Sequence, residues 1–406
     1  MALKIGVVGL GQFSGSFIPL FQAHPLVDEV AVAEIVPERR EEAVQKFGVS
    51  RTFASLEEMC ESNVDAVAIF TQRHLHAKHT LTALKAGKHV YCAVPMAHSI
   101  EDVREILLEV TRTEKIYMTG ETSYYYPSTI YCRDRFLRGD FGDFVYGEAQ
   151  YLHDMSHGFY EAFQNSGGSD WKKVAGFPPM YYPSHSVSML LSVTGARATH
   201  VSCLGFVDRS DDGVFRKGAN LWDNPFSNQT ALVRTSDGGM CRLNEFRRVG
   251  WGGQNGVYMS MFGTLGSFEE HAGSQIWTSI NHGDVQDISE MLRFENTFEQ
   301  KADEKLHYIL QQDFQQGVSK VHKVNRLPKE FDGLVNGHAG SHQFLVDDFV
   351  KSVAMGKLPP NHAWNAAKYC VPGIISHESA KQGGIQMELP DFGTPPSGWD
   401  ILDPEV

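Results

Sequence analysis

The run KIGVVGLGQFSGSF, Lys4 to Phe17, joins a short apolar strand to a glycine turn and the start of a helix. Gly9 permits a tight turn after the strand. Gly11 lets backbone N–H groups approach an anionic group at the helix N-terminus. Gln12 and Phe13 complete the turn, and Ser14, with Gly15 beside it, takes the place of the third glycine of a GxGxxG pattern. Glu34 closes the next strand-like run, EVAVAE (29–34), about 20 residues on, where a carboxylate binds a ribose 2′-hydroxyl. Strand, glycine turn, helix and acid together predict a dinucleotide site. A carboxylate at Glu34 repels a 2′-phosphate and so favours NAD over NADP; Arg39 and Arg40 follow closely enough to soften that preference.

Outward from this turn the chain alternates strand with helix. Asp65–Phe70, Lys88–Cys92 and Lys115–Gly120 read as further buried strands, and Glu38–Phe47, His76–Ala86 and Ser99–Thr113 have helical spacing. Such alternation implies crossover connections and a parallel sheet covered on both faces. Past residue 123 the texture changes. Aromatic and β-branched runs at Phe144–His153, Thr199–Val207, Gln229–Arg234, Gly239–Phe246 and Val257–Phe262 predict a mostly antiparallel sheet. Helical periodicity returns at Ser341–Met355 and Trp364–Gln382. The fold expected is α/β: a Rossmann doubly wound domain over 1–123, an α+β substrate-binding and oligomerisation domain with a large open sheet over 124–388, and an irregular tail over 389–406.

The 406 residues carry 36 Lys and Arg against 49 Asp and Glu, a net charge of −13. That balance argues against nucleic acid as a partner, since duplex binding needs a basic face. No apolar run is long enough for a membrane span, and the glycine-broken N-terminus is not a signal peptide. Six scattered cysteines without a CxxC pair point to buried reduced thiols in a cytoplasmic protein, with no zinc–thiolate site.

Three segments bring a family into view: DAVAIFTQRHLHAKHTLTALKAGKHVYCAVPMA (65–97), RGDFGDFVYGEAQY (138–151) and HAGSHQFLVDDFVKSV (338–353). They resemble the glucose–fructose oxidoreductase / inositol dehydrogenase superfamily. Dehydrogenases of that superfamily carry Glu-Lys-Pro where this chain has Ala93-Val94-Pro95, and an Asp where it has Tyr181. A valine cannot move a proton, so the ordinary acid/base set is incomplete. The NAD-dependent glycoside hydrolase branch, of the α-N-acetylgalactosaminidase type, lacks the same lysine. Its motifs resemble Ala93-Val94-Pro95, Tyr151-Leu152-His153-Asp154, Trp171-Lys172 and Tyr182-Pro183-Ser184-His185. Lys172 stands where that branch has Arg, which loses a bidentate fork. The branch's later substrate Tyr has no clear counterpart; Trp251, Gln254 and Tyr258 are candidates.

The resemblance implies a redox-neutral cycle on a small carbohydrate: oxidation of sugar C3 by a tightly bound, recycled NAD, loss of the C2 proton, elimination of the aglycone, water addition, and return of the hydride. His185 is then the base at the C3 hydroxyl, with Tyr151 and Tyr182 as further acid/base groups. Lys172, Tyr125, Tyr181, His153 and Ser184 are expected around the substrate, and of Tyr181 and Tyr182 one points inward while the other packs. Thr71, Arg73, His76, Ala93, Val94, Pro95, Glu121 and Thr122 join the glycine turn and Glu34 on the cofactor side. His153, Asp154 and His157 are polar neighbours whose loose spacing does not amount to a metal site. Lys172, Lys173, Arg247 and Arg248 leave open an anionic sugar such as a uronide or sulfoquinovoside. The superfamily's habit also implies a homodimer or homotetramer. Two rival readings remain: an NAD-dependent sugar or polyol dehydrogenase in which His185 and a Tyr replace the lysine, and a non-catalytic NAD-binding sensor.

Overall fold

The computed structural model describes residues 2–250, 256–271, 274–281, 283–294 and 317–403. They divide into two compact units. One comprises Met1–Thr122, Lys323–Ala367 and Phe392–Val406, the other Ser123–His322 and Lys368–Asp391. The linear division read from the sequence changes accordingly: 323–367 joins the N-terminal unit, and so does the chain from 392 onward.

In the first unit, β1 (Leu3–Val8), β2 (Val27–Ala33), β3 (Thr52–Phe53), β4 (Ala66–Ile69), β5 (His89–Cys92) and β6 (Tyr117–Thr119) form a parallel sheet in the order β3-β2-β1-β4-β5-β6. Ile5, Val7 and Val8 are buried, as are all four residues of β4, because helices cover both faces. The strand order reverses between β1 and β4, and ligands of open α/β sheets bind beyond the strand ends at such a switch point. The helix His342–Met355 belongs to this unit for an electrostatic reason as well as an apolar one. Asp347 is fully buried on it, and the cost of burying that carboxylate is offset by His24 at 3.3 Å, Arg326 at 2.9 Å and Lys351 at 3.2 Å. Phe349 packs against Phe21 and Tyr91. The irregular C-terminal stretch is tied down where Leu402 N–H donates to the Leu358 carbonyl at 2.7 Å.

In the second unit nine strands among the described residues, including the outer strands β12 (Gly266–His271), β13 (Ser274–Ser279), β14 (Val285–Asp287) and β15 (Met387–Glu388) and the central β7 to β11 bounded below, form one sheet in the order β14-β13-β12-β11-β7-β10-β9-β8-β15. Its centre is β7 (Phe144–Leu152), flanked by β11 (Val257–Gly263), which is antiparallel, and β10 (Met240–Phe246), the one parallel neighbour among the described residues; β9 (Phe226–Thr235) and β8 (Ala198–Val207) continue the sheet outward. Side chains alternate between faces. Ala149, Tyr151, Leu243 and Glu245 face inward beneath the helix Ser184–Thr194, whose Leu190 fits the space left by Gly147; a Cβ there would lie 2.7 Å from the Leu190 Cδ2. The opposite face exposes Leu204, Phe206, Leu232 and Met240. No helix among the described residues is long and apolar enough to cross a membrane.

Candidate active site

In the first unit the glycine turn sits at the switch point. Gly9 has φ +88°, and a Cβ on it would lie 2.9 Å from the Phe70 carbonyl carbon and oxygen, so only glycine fits. A Cβ on Gly11 would meet nothing within 4 Å, which leaves the room a backbone-bound pyrophosphate needs. The helix opens as a short 3₁₀ turn, Ser14–Ser16, before Ile18–Ala23, and the buried Ser14 hydroxyl donates to the Gly11 carbonyl at 2.9 Å. Gln12 is exposed. Phe13 lies edge-on to Phe70, His338 and His342, where His338 and Ala339 both hold left-handed backbone conformations. Glu34 Oε2 accepts from Leu10 N–H at 2.8 Å and Oε1 from Val36 N–H at 3.1 Å. The acid therefore fixes the turn through both carboxylate oxygens. Arg40 donates to the Glu34 carbonyl, which places a guanidinium beside this acid.

Around the switch point, Ala93 and Val94 are buried, and the Val94–Pro95 bond is cis. His76 is buried between two carbonyls, with Nδ1 2.8 Å from Pro95 O and Nε2 3.0 Å from Thr71 O. Burial pushes its pKa down to about 4, so the neutral ring donates one of these bonds at a time. That ring braces the loops after β4 and β5 and is engaged with protein at both nitrogens. The Thr71 hydroxyl bonds to His79 Nδ1 at 2.8 Å, Arg73 opens a 3₁₀ turn, and Glu121 and Thr122 are buried after β6.

In the second unit three of the sequence-derived residues come together. Tyr151 ends β7 on the inward face; Tyr182 and His185 sit at the start of the helix packed over it. The ring centroids are 5.2 Å apart for Tyr151 and His185, 5.2 Å for Tyr182 and His185, and 6.0 Å for the two tyrosines. The helix start is anchored by Ser123, whose hydroxyl lies 2.9 Å from the His185 carbonyl. The buried Ser184 hydroxyl beside it has no hydrogen-bond partner among the described residues. Tyr151 Oη lies 2.7 Å from His153 Nδ1.

Two residues that sequence reasoning did not assign to the cluster complete its floor. Glu245, opposite Tyr151 across β10, is fully buried; it accepts from Ser186 Oγ at 2.7 Å and from Arg247 Nη2 at 3.0 Å. Burial pushes its carboxyl up to about 7, against the pull of Arg247, Ser186 and His185. The Arg247 guanidinium lies 4.6 Å from the centre of the Tyr151 ring. An acid at an inward strand position with an arginine two residues on was the available signal; its meaning depended on knowing that β10 pairs with β7.

The structure places other expected substrate residues elsewhere. Tyr181 is buried against His377, with its hydroxyl 3.5 Å from Glu378; burial and that carboxylate push its pKa well up. It is the packing tyrosine and Tyr182 the inward one. Lys172 is exposed, its Nζ 5.7 Å from the Trp171 ring centre. Lys173 pairs with Asp170, Arg247 with Glu245, and Arg248 with Asp212 and Tyr160. The cations named for an anionic sugar are thus exposed or committed to protein partners. Asp154 accepts from Ser156 N–H and Val249 N–H, and these bonds hold its pKa down despite burial. No group of three His, Cys, Asp or Glu suited to a metal occurs among the described residues. Tyr125 is buried with its carbonyl 2.9 Å from His322 Nε2. Tyr258 lies on the outer sheet face opposite Gln150, away from the cluster, and Trp251 and Gln254 lie outside the described residues.

With the switch-point turn, its acid and the inward Tyr/His cluster described, the chain resembles the glucose–fructose oxidoreductase / inositol dehydrogenase superfamily, and its N-terminal part is an NAD-binding Rossmann domain. Residues 3–121 match the model of the oxidoreductase family with an NAD-binding Rossmann fold. Over 96% of its length the chain is 24% identical to a glycosyl hydrolase family 109 protein of Streptomyces niveus, covering 77% of that protein. It is 31% identical to the trans-1,2-dihydrobenzene-1,2-diol dehydrogenase of Mus musculus, over 39% of this chain and 48% of that one. A levoglucosan dehydrogenase solved with NADH and levoglucosan shares the fold, with a TM-score of 0.71 at 18% identity over 96% of this chain and 100% of that one. The protein is an NAD-dependent enzyme, a glycosidase or a sugar dehydrogenase.

Proposed function

We propose that the protein is a glycoside hydrolase that oxidises its sugar transiently. The observation that carries this reading is the Tyr151, Tyr182 and His185 cluster, which supplies several proton-handling groups without an amine, while the superfamily's lysine position is the buried Val94. The long match to glycosyl hydrolase family 109 proteins supports it. NAD, held by the glycine turn and Glu34, supplies a hydride acceptor and donor for sugar C3. His185 takes the C3-hydroxyl proton, the imidazole being the side chain of the cluster best suited to accept and return one. Tyr151 removes the C2 proton once the adjacent carbonyl has acidified it, Tyr182 assists the leaving group, and Ser184 holds a sugar hydroxyl. The committed cations favour a neutral sugar.

A simple dehydrogenase needs only one base, and His185 suffices for that second reading, which the dihydrodiol dehydrogenase match supports. Nitrophenyl glycosides incubated with the enzyme and NAD separate the two. Phenol release without net NADH, with deuterium entering C2 in heavy water, is the hydrolase result. NADH accumulating on free sugars or polyols without phenol release would replace it with the dehydrogenase. We further propose a cytoplasmic homodimer or homotetramer that covers the outer apolar sheet face.

A further inference from the structure

We propose that His153 is the proton acceptor that readies Tyr151, in a relay that ends on a backbone carbonyl. The argument is one of hydrogen-bond valence. His153 Nε2 lies 2.7 Å from the His157 carbonyl oxygen. A carbonyl can only accept, so Nε2 carries the proton. In the neutral ring Nδ1 is then the bare acceptor, and Tyr151, 2.7 Å away, donates to it. The ring is held in that orientation by stacking on Phe159, with centroids 3.9 Å apart and planes 12° from parallel. The carbonyl is delivered by a turn that Gly158 makes possible with φ +94°, after Asp154 has capped it through Ser156 N–H. Hydroxyl, imidazole and fixed acceptor in series are the arrangement that activates a hydroxyl in hydrolases, with a carbonyl in place of the usual carboxylate.

The step is a proton transfer with no electron exchange. The Tyr151 O–H bond breaks, an N–H bond forms at His153 Nδ1, and the phenolate oxygen is left as the base. It takes the substrate proton, and both protons move back when the substrate is reprotonated. The Arg247 guanidinium over the Tyr151 ring stabilises the phenolate while it exists. The charged and titratable neighbours on the surrounding elements include Glu245 on β10 and Arg247 just after it, His185 on the helix over it and Tyr182 just before that helix, and Asp154 and His157 from the turn. His153 itself is a positioning and proton-relay residue and need not touch substrate.

This inference deepens the proposed function, since it assumes Tyr151 handles a substrate proton, yet one arm of its test does not need turnover. In protein with ¹⁵N-labelled histidine, His153→Asn identifies the His153 signals. The expected pattern at neutral pH is a bare Nδ1 and a protonated Nε2, with Nδ1 shifting on Tyr151→Phe. A proton on Nδ1, or on both nitrogens, would reverse the donor and overturn the relay, whatever the enzyme's substrate. The kinetic arm uses the same His153→Asn variant, whose amide oxygen can still accept from Tyr151 but cannot be protonated. kcat should fall roughly 10²-fold or more at neutral pH, with KM little changed, and should then rise with pH toward the tyrosine range, about 10. An unchanged kcat and pH profile would reduce His153 to packing. If the glycosides and polyols are inert with the native enzyme, the proposed function fails, while the tautomer measurement still decides the relay.

Discussion

Two glycines two positions apart should answer the same substitution in opposite ways. At Gly11 the backbone is outside the left-handed region and a Cβ meets nothing within 4 Å. Gly11→Ala should therefore leave the cofactor-free protein as stable as before, or about 0.4–1 kcal/mol more so through the smaller entropy of the unfolded chain, a rise in Tm of up to about 4 °C. The same methyl occupies the space a pyrophosphate uses. Losing one charge-assisted backbone bond there costs about 1.5–3 kcal/mol, so NAD should bind roughly 10–100-fold more weakly. At Gly9, φ is +88° and the Cβ would lie 2.9 Å from Phe70 backbone atoms. Gly9→Ala combines about 1–2 kcal/mol for left-handed backbone with about 1–3 kcal/mol of overpacking, and should lower Tm by roughly 4–20 °C with or without cofactor. Thermal melts of cofactor-stripped protein and calorimetric titration with NAD measure both quantities. A Gly11→Ala protein that binds NAD normally, or that melts like Gly9→Ala, would show that the open space at Gly11 is not where the pyrophosphate lies.

Other substitutions probe the remaining assignments. Glu34→Ser should weaken NAD, and by leaving Arg40 as the charge beside the ribose it should improve NADP in parallel titrations; unchanged discrimination between the two would remove Glu34 from the ribose site. Glu245 has its pKa raised from 4.5 to about 7 by burial, so its proton stabilises the fold fully below about pH 4.5, and that stability is lost as pH rises through 7. Glu245→Gln should flatten this slope, which amounts to at most about 3 kcal/mol, in denaturant titrations at acid and alkaline pH; a slope identical to the native one would place the titration on another group. His185→Ala should abolish turnover while NAD still binds, whereas Tyr181→Phe, altering a hydroxyl that faces Glu378, should change kcat little. Lys172→Ala should be near-neutral for KM, because the amine is exposed; a large rise in KM would return it to the substrate.

The glycine turn was legible residue by residue because its signals are local. A glycine turn needs particular backbone angles at Gly9 and open space at Gly11, and these are properties of a few consecutive residues joined to a strand and a helix. Even there the sequence did not disclose that Glu34 also ties the turn through Leu10 and Val36, or that His76 is clamped between two carbonyls. The catalytic half was legible only as a set of residue types. Tyr181 and Tyr182 are adjacent, and nothing in their order says which faces inward; a partner nearly 200 residues away, Glu378, takes one of them. Lys172 was expected around the substrate from its motif position, as a point charge in place of an arginine fork, and its short helix leaves it exposed.

The sequence by itself determined the parallel sheet and the glycine turn, since these follow from periodicity and from what a glycine backbone can do, while Val94 stood out only against the lysine of the superfamily that the chain resembles. Tertiary structure alone decided that 323–367 packs with the N-terminal unit, that Glu245 and Arg247 lie beneath Tyr151, and that His153 receives the Tyr151 hydroxyl while its far nitrogen meets a carbonyl. Those outcomes depend on strand register and on where a chain returns, and a buried charge such as Asp347 or Glu245 is tolerated only where the fold brings its partners to it.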